Sequence, residues 1–185
     1  FLEKECPFSV VRELENSPYG YSLELWKKVA DLGWLGLTSS ETYGGLGHDN
    51  LTLALLCEQL GRFLFPSPYL NTVAMCASII EAAGSKQLKE DILPKIIRGD
   101  LIVSLALTEG QGIPHPKGWR SSGHLQAGDY IISAHKYFVE NVASSKYLLV
   151  PVRSGRQAGP EEGVSLFLVP LNSPGVRIVP LLTMV

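Results

Sequence analysis

Two short stretches concentrate the side chains that could hold and orient a ligand: LALTEG at 105–110 and KYFVENV at 136–142. The first closes an apolar run, LIVSLALTEG, which stops at Thr108-Glu109-Gly110 as a buried strand does when it ends in a polar turn. Alternation puts Leu101, Val103, Leu105 and Leu107 on one face and Ile102, Ser104, Ala106 and Thr108 on the other. The second face thins to small residues and ends in a hydroxyl. That leaves room for a flat ligand, with main-chain N–H groups and Thr108 as hydrogen-bond partners. A strand carrying Tyr137 and Phe138 beside it would add an aromatic plane, as a flat heterocycle requires. Core strands and core aromatics give the same pattern, so these residues alone leave a ligand edge and an ordinary sheet strand both open.

Other chemistries find less support. His48, His115, His124 and His135 show neither HExxH nor paired spacing with acids, so no metal site is expected. There is no GxSxG, no Walker loop and no GxGxxG after a strand. TYGGLG at 42–47 has the look of a phosphate loop, but it falls between helices and lacks the following Lys-Ser/Thr; it reads as a structural turn.

At 185 residues, 45% hydrophobic and 18% charged, the chain has the composition of a folded protein with a real core. A net charge of −2 without a basic stripe argues against nucleic acid and anionic membranes. No apolar run reaches the roughly 18 residues of a membrane span. FLEKECPF lacks the features of a signal peptide, and the missing initiator methionine fits a trimmed or incompletely reported chain. Cys6, Cys57 and Cys76 are odd in number and widely spaced, as expected of reduced thiols in the cytoplasm.

The elements that must position the two stretches change character near Asp100. Ser22 caps a helix with Leu25, Trp26, Val29 and Leu32 on one stripe, stopping at Gly33. Asp49 or Asn50 caps a second through Leu60, ended by Pro66 and Pro68. A third, from an Asn71 cap to Gly84, is apolar almost all round and so buried. Ser85 caps a fourth, with Pro94 inside it and Gly99 at its end. Beyond, His124–Ala127 and Tyr130–Ser133 flank a Gly128-Asp129 hairpin turn, followed by strands Lys146–Val152, Val164–Val169 and, after Asn172-Ser173-Pro174-Gly175, Val176–Val179. The fold class is therefore α+β: an all-α helical domain over 1–100, then an antiparallel β-barrel or sandwich domain over 101–185.

LGWLGL, ETYGGLG, the buried helix, ILPKIIRGD, LALTEG, the hairpin, KYFVEN, YLLVPVR, VSLFLVP and SPGV occur in an order and spacing that resembles the acyl-CoA dehydrogenases. The resemblance covers essentially the whole chain and rests on collinearity more than on any one motif. It implies an N-terminal helical domain and a middle β domain, with the family's C-terminal four-helix domain absent from this sequence. It also implies FAD as cofactor, an acyl-CoA substrate, an electron acceptor of the flavoprotein type, and a homo-tetramer or hetero-oligomer.

By position, the resemblance makes Leu107 and Thr108 the residues holding the flavin pyrimidine edge. Phe138 stands where the family usually has a Trp over one flavin face, with Val139 as its apolar neighbour and Glu140 where a Thr commonly bonds near flavin N5. Asn71, Thr72 and Met75 become candidates for the acyl pocket. Two departures accompany these: the family's Pro and Gly-Ser-Asp turn reads Gly110, Gln111, Gly112, Ile113, Pro114, His115 here, and a carboxylate at 140 would oppose an anionic reduced flavin. The family's proton-abstracting glutamate is expected beyond these residues, so no catalytic residue is assigned and the chain alone is expected to be inactive. The implied activity is FAD-dependent α,β-dehydrogenation of an acyl-CoA. A non-catalytic subunit of a heteromeric dehydrogenase and a flavin-free acyl-CoA binding module are the alternatives.

Overall fold

A computed structural model describes residues 1–110, 112, 115–155 and 162–181. Gln111, Ile113 and Pro114 of the divergent turn, the middle of the SGRQAGPEEG loop and the last residues of PLLTMV lie outside the described residues. The chain divides into two compact units, residues 1–103 with 143–145, and residues 104–142 with 146–185.

The first unit is helical. Helices α1 (Leu2–Glu5) and α2 (Phe8–Glu15) precede the elements expected from the sequence. They are short, α2 buries none of its residues, and Pro7 at its N-cap gives no side-chain signal. Helix α3 (Leu23–Asp31) starts where Ser22 Oγ accepts the Leu25 N–H at 3.3 Å, and it buries Leu25, Trp26 and Val29. Leu32, expected on that stripe, is largely exposed because the helix has already ended.

Helix α4 (Asn50–Arg62) is capped by Asp49, whose Oδ1 accepts from the Thr52 N–H at 2.9 Å and the Thr52 hydroxyl at 2.7 Å. The third expected helix has two parts, a wide π-helical segment Tyr69–Ala77 running into α5 (Ser78–Ala83). It starts after Pro68 and not at an Asn71 cap. Helix α6 (Lys86–Ile97), capped by Ser85, contains Pro94. Trp26, Val29, Leu35, Val73, Cys76, Ile80, Ile92, Leu93 and Ile96 form the buried core, and Tyr69 donates its hydroxyl to the Trp34 carbonyl at 2.9 Å.

The second unit is built on a five-stranded sheet of β1 (Val103–Leu105), β2 (Ser122–Gln126), β3 (Asp129–Ser133), β4 (Tyr147–Arg153) and β5 (Val164–Pro170), in the order β1-β4-β2-β3 with β5 also on β4. The helical-then-β class holds, and the two full strand pairings, β2 with β3 and β4 with β5, are antiparallel. The departure is that β2 meets β4 in parallel, through Ser122 and Arg153. Residues 127–146, including β3, carry the chain back between them, a crossover long enough to return a strand in the same direction.

The hairpin turn sits one residue earlier than expected. Gln126 pairs with Asp129, leaving Ala127 and Gly128 as the loop, both with positive φ (51° and 95°), as a two-residue primed turn requires. No strand forms at Val176–Val179 among the described residues; Ile178 and Val179 are exposed and have no partner strand.

Candidate functional site

The site begins where β1 gives out. The Ala106 N–H bonds to the Leu149 carbonyl at 2.9 Å, and Ala106 joins Val150 and Val152 in a core against which Ile132, Val139 and Phe167 pack. From there residues 104–109 and 136–140 run side by side, tied at several levels. Ser104 donates its hydroxyl to the Glu140 carbonyl at 2.7 Å, the Tyr137 N–H bonds to the Thr108 carbonyl at 2.9 Å, and Lys136 Nζ lies 2.6 Å from Glu109 Oε1. The sequence reading joined these stretches as two strands. Among the described residues the two stretches are joined by an isolated bridge, Thr108 with Tyr137, and not by paired strands. Phe138 and Asn141 adopt φ of 53° and 55°, which breaks any extended run there.

Phe138 is unusual in two ways. A bulky side chain in the left-handed region is rare and persists only where the surroundings over-determine it. The residue is also 66% exposed, while the next one, Val139, packs on the core. An exposed aromatic residue thereby follows directly on Tyr137, the bridge partner of Thr108.

Beneath this turn lies an ion pair that sequence reading did not single out. Glu109 and Lys136 side chains are each only 6% exposed. Glu109 Oε2 accepts the N–H groups of Arg120 at 2.6 Å and Ser121 at 3.1 Å, and its Oε1 accepts the Ser121 hydroxyl as well as Lys136. Lys136 also donates to the Pro151 carbonyl at 2.8 Å and lies 5.2 Å above the Trp119 ring. Burial alone would raise the Glu109 pKa; the hydrogen bonds from Lys136, Ser121 and the two N–H groups outweigh it and hold the carboxyl below its ordinary 4.5. Burial lowers the Lys136 pKa, partly countered by Glu109. The available signal was an acid at the end of one apolar run and a base at the start of the aromatic stretch already paired with it.

An open cleft of about 970 Å³ adjoins the pair, lined by Glu109, Gly110, His115, Arg120, His135 and Tyr137 among others. The His135 and Tyr137 rings stack at 4.5 Å.

Of the residues expected to contact a cofactor, Leu107, Thr108, Phe138, Val139 and Glu140 are brought together in this unit. Leu107, Thr108 and Val139 are half-buried, and the Glu140 side chain is exposed while its carbonyl is held by Ser104. Among the described residues the Thr108 hydroxyl makes no hydrogen bond. The candidates for an acyl pocket all lie on Tyr69–Ala77 of the helical unit. Asn71 and Thr72 are buried there, with Thr72 donating to the Val103 carbonyl at 3.0 Å and Asn71 Oδ1 accepting the Cys76 thiol at 3.7 Å. Met75, expected on a wholly buried helix, is 47% exposed.

The TYGGLG loop is a structural turn. Leu46, Gly47 and His48 N–H groups bond to the carbonyls of Gly36, Ser39 and Leu37 at 2.8 to 2.9 Å, so they are not turned toward a phosphate. A Cβ on Gly45 would collide with the Ser39 carbonyl oxygen. Among the described residues there is no cluster of potential metal ligands, and no helix is long and apolar enough to cross a membrane.

Comparison with known proteins gives the same two parts. Residues 1–100 match the family model described as "Acyl-CoA dehydrogenase, N-terminal domain", and residues 104–185 match "Acyl-CoA dehydrogenase, middle domain". Mitochondrial isobutyryl-CoA dehydrogenase of Dictyostelium discoideum is 29% identical over 94% of this chain and 41% of its own length. Among solved structures, the ChsE4-ChsE5 complex from Mycobacterium tuberculosis superposes with a TM-score of 0.84 at 26% identity, over 97% of this chain and 46% of that one. A glutaryl-CoA dehydrogenase from Mycobacterium smegmatis in complex with FADH2 gives 0.81 at 25% identity, over 95% of this chain and 44% of that one. The chain thus spans less than half the length of these relatives.

Proposed function

The chain belongs to the acyl-CoA dehydrogenase family, and from that premise we propose that its protein carries out FAD-dependent α,β-dehydrogenation of an acyl-CoA thioester. The observation that carries this reading is the tied junction of residues 104–109 and 136–140. It presents half-buried Thr108, whose hydroxyl makes no hydrogen bond among the described residues, and next to its bridge partner Tyr137 an exposed Phe138. A hydroxyl and main-chain groups beside an exposed aromatic plane suit the edge and face of a flat heteroaromatic ring. The residues fit FAD: Leu107 and Thr108 would hold the pyrimidine edge, Phe138 would cover a face, and Val139 and the main chain at Glu140 would shape the far side. When bound, FAD supplies a hydride acceptor.

This chain's own part is binding and orientation. Glu109 cannot serve as the base that takes the α-proton, because both its oxygens are occupied by donors and Lys136 stabilises its anion. We place the base in the length of the relatives that this chain does not span, which leaves the chain inactive by itself. Asn71, Thr72 and Met75 remain our candidates for the acyl side, with Met75 the one that offers exposed surface. The electron acceptor would be of the flavoprotein type. We place the protein in a reducing compartment such as the cytoplasm, on the odd number and wide spacing of Cys6, Cys57 and Cys76.

The test is purification of the complete protein carrying this chain with saturating FAD, followed by titration with saturated acyl-CoAs of graded length. Bound yellow flavin that bleaches on adding one of them is the expected result. A colourless protein would overturn the catalytic reading, and thioester binding without flavin would favour a binding module.

A second reading, a non-catalytic subunit of a hetero-oligomer, is favoured by the carboxylate at Glu140, exposed where it would face a reduced flavin. Native mass spectrometry separates the two: a homo-tetramer supports the enzyme, and an obligate pairing with an unlike subunit supports the second reading.

A further inference from the structure

We infer that the Glu109–Lys136 pair is a positioning device, which holds the Phe138 turn in its left-handed conformation and so fixes the aromatic face offered to the flavin. The inference rests on the flavin-site reading above for its purpose, though not for its geometry.

The geometry is that of a segment pinned on both sides of one strained residue. On the far side, Val139 is packed on the Ala106, Val150 and Val152 core, and the Glu140 carbonyl is held by the Ser104 hydroxyl at 2.7 Å. On the near side, Tyr137 is bonded to Thr108 and Lys136 to Glu109. Phe138, with φ of 53°, lies between. Left to itself, a residue of this size returns to negative φ, so both sides must resist.

The near side resists through direction. The Glu109 carboxylate is fixed in one orientation by the N–H groups of Arg120 and Ser121 and by the Ser121 hydroxyl. Lys136 Nζ is fixed in turn by Glu109, by the Pro151 carbonyl and by the Trp119 face. A buried ion pair is a weak source of net stability compared with apolar packing, but breaking it strands a charge, so few alternative placements of Lys136 compete. An apolar residue at 136 could slide along Trp119 and Pro151, and the ammonium cannot.

The test compares the complete protein carrying this chain as wild type, Lys136→Met, Lys136→Arg and the double variant Glu109→Leu/Lys136→Met. Hydrogen exchange is followed at the amides of 137–141 and, as an internal reference, at β4 and β5. FAD affinity is measured separately by fluorescence titration. Lys136→Met should speed exchange at 137–141 by about tenfold or more while β4 and β5 stay protected, since local opening is separable from global unfolding. FAD affinity should fall by about tenfold as the ring loses its preset position. Lys136→Arg, which keeps the charge and the stacking, should recover both. If Lys136→Met fails to fold, the double variant takes its place, because removing both charges leaves none stranded, and the same local loosening is expected. Unchanged exchange at 137–141, or equal loosening of 137–141, β4 and β5, would overturn the inference. A wild-type protein that binds no FAD would overturn the flavin-site reading instead, and the exchange comparison would still decide the positioning role.

Discussion

Thr72 donates its hydroxyl to the Val103 carbonyl at 3.0 Å, and the Thr72 side chain and Val103 are both fully buried. This bond ties the π-helical segment Tyr69–Ala77 to Val103 within the same helical unit. Thr72→Val keeps the shape and removes the donor, leaving a buried carbonyl without that partner. Chemical denaturation should show a loss of ~1–3 kcal/mol, the usual cost of an unsatisfied buried polar group. Thr72→Ser should lose less, because the hydroxyl remains. Equal stability of the Val variant would mean that the carbonyl finds another donor.

The Glu109 carboxyl has a folded pKa below its ordinary 4.5, so the unfolded chain binds a proton more readily than the folded one. Its contribution to stability is therefore fully present above pH 4.5 and is lost as pH falls through the depressed folded value. Thermal melts of the wild type should show falling midpoints below about pH 4.5 from this group. Glu109→Gln should flatten that slope while lowering the plateau, since breaking one partner of a buried pair costs ~3–5 kcal/mol. A variant with an unchanged acid slope would assign the titration to other carboxylates.

Gly44 and Gly45 are adjacent and should respond differently. Gly44 has φ of 89° with open space around the position of a Cβ, so Gly44→Ala should cost only the strain of the left-handed region, ~1–2 kcal/mol. At Gly45 the Cβ would meet the Ser39 carbonyl carbon and oxygen, which is backbone and cannot rotate aside. Gly45→Ala should therefore be much the worse, displacing the loop and its bonds to Gly36, Ser39 and Leu37. Comparable melting midpoints for the two variants would show that the loop can shift without loss.

What the sequence made legible was local. Ser22, Asp49 and Ser85 each cap a helix through their own side chains, a signal carried by one residue type next to an apolar period. The hairpin was legible to within a residue, and the error arose because Ala127, which has no special preference for positive φ, takes the left-handed position beside Gly128. The parallel meeting of Ser122 with Arg153 left no trace, since nothing in either strand encodes which way a distant neighbour runs. The contact of LALTEG with KYFVENV was visible as two stretches of complementary character. The left-handed turn inside the second was not, because Phe and Asn at 138 and 141 adopt it under tertiary constraint. Glu109 and Lys136 read separately as ordinary charges; only their common burial makes them a pair.

Phe138 offers a test in which stability and binding should move apart. The residue is 66% exposed, so removing its side chain sacrifices little packing, and its φ of 53° is a conformation that glycine adopts without penalty. Phe138→Gly should leave the unfolding free energy unchanged or raise it by ~1 kcal/mol, the relieved strain being partly offset by the freer unfolded chain. If the ring covers a flavin face, the same variant should weaken FAD binding by about 1 kcal/mol or more, the scale of an aromatic stacking contact. Phe138→Trp, keeping a larger aromatic in the same turn, should retain the strain and hold FAD at least as well. A glycine variant that loses stability and keeps its FAD affinity would make Phe138 a packing residue after all, and the flavin face would have to be sought elsewhere on the β unit.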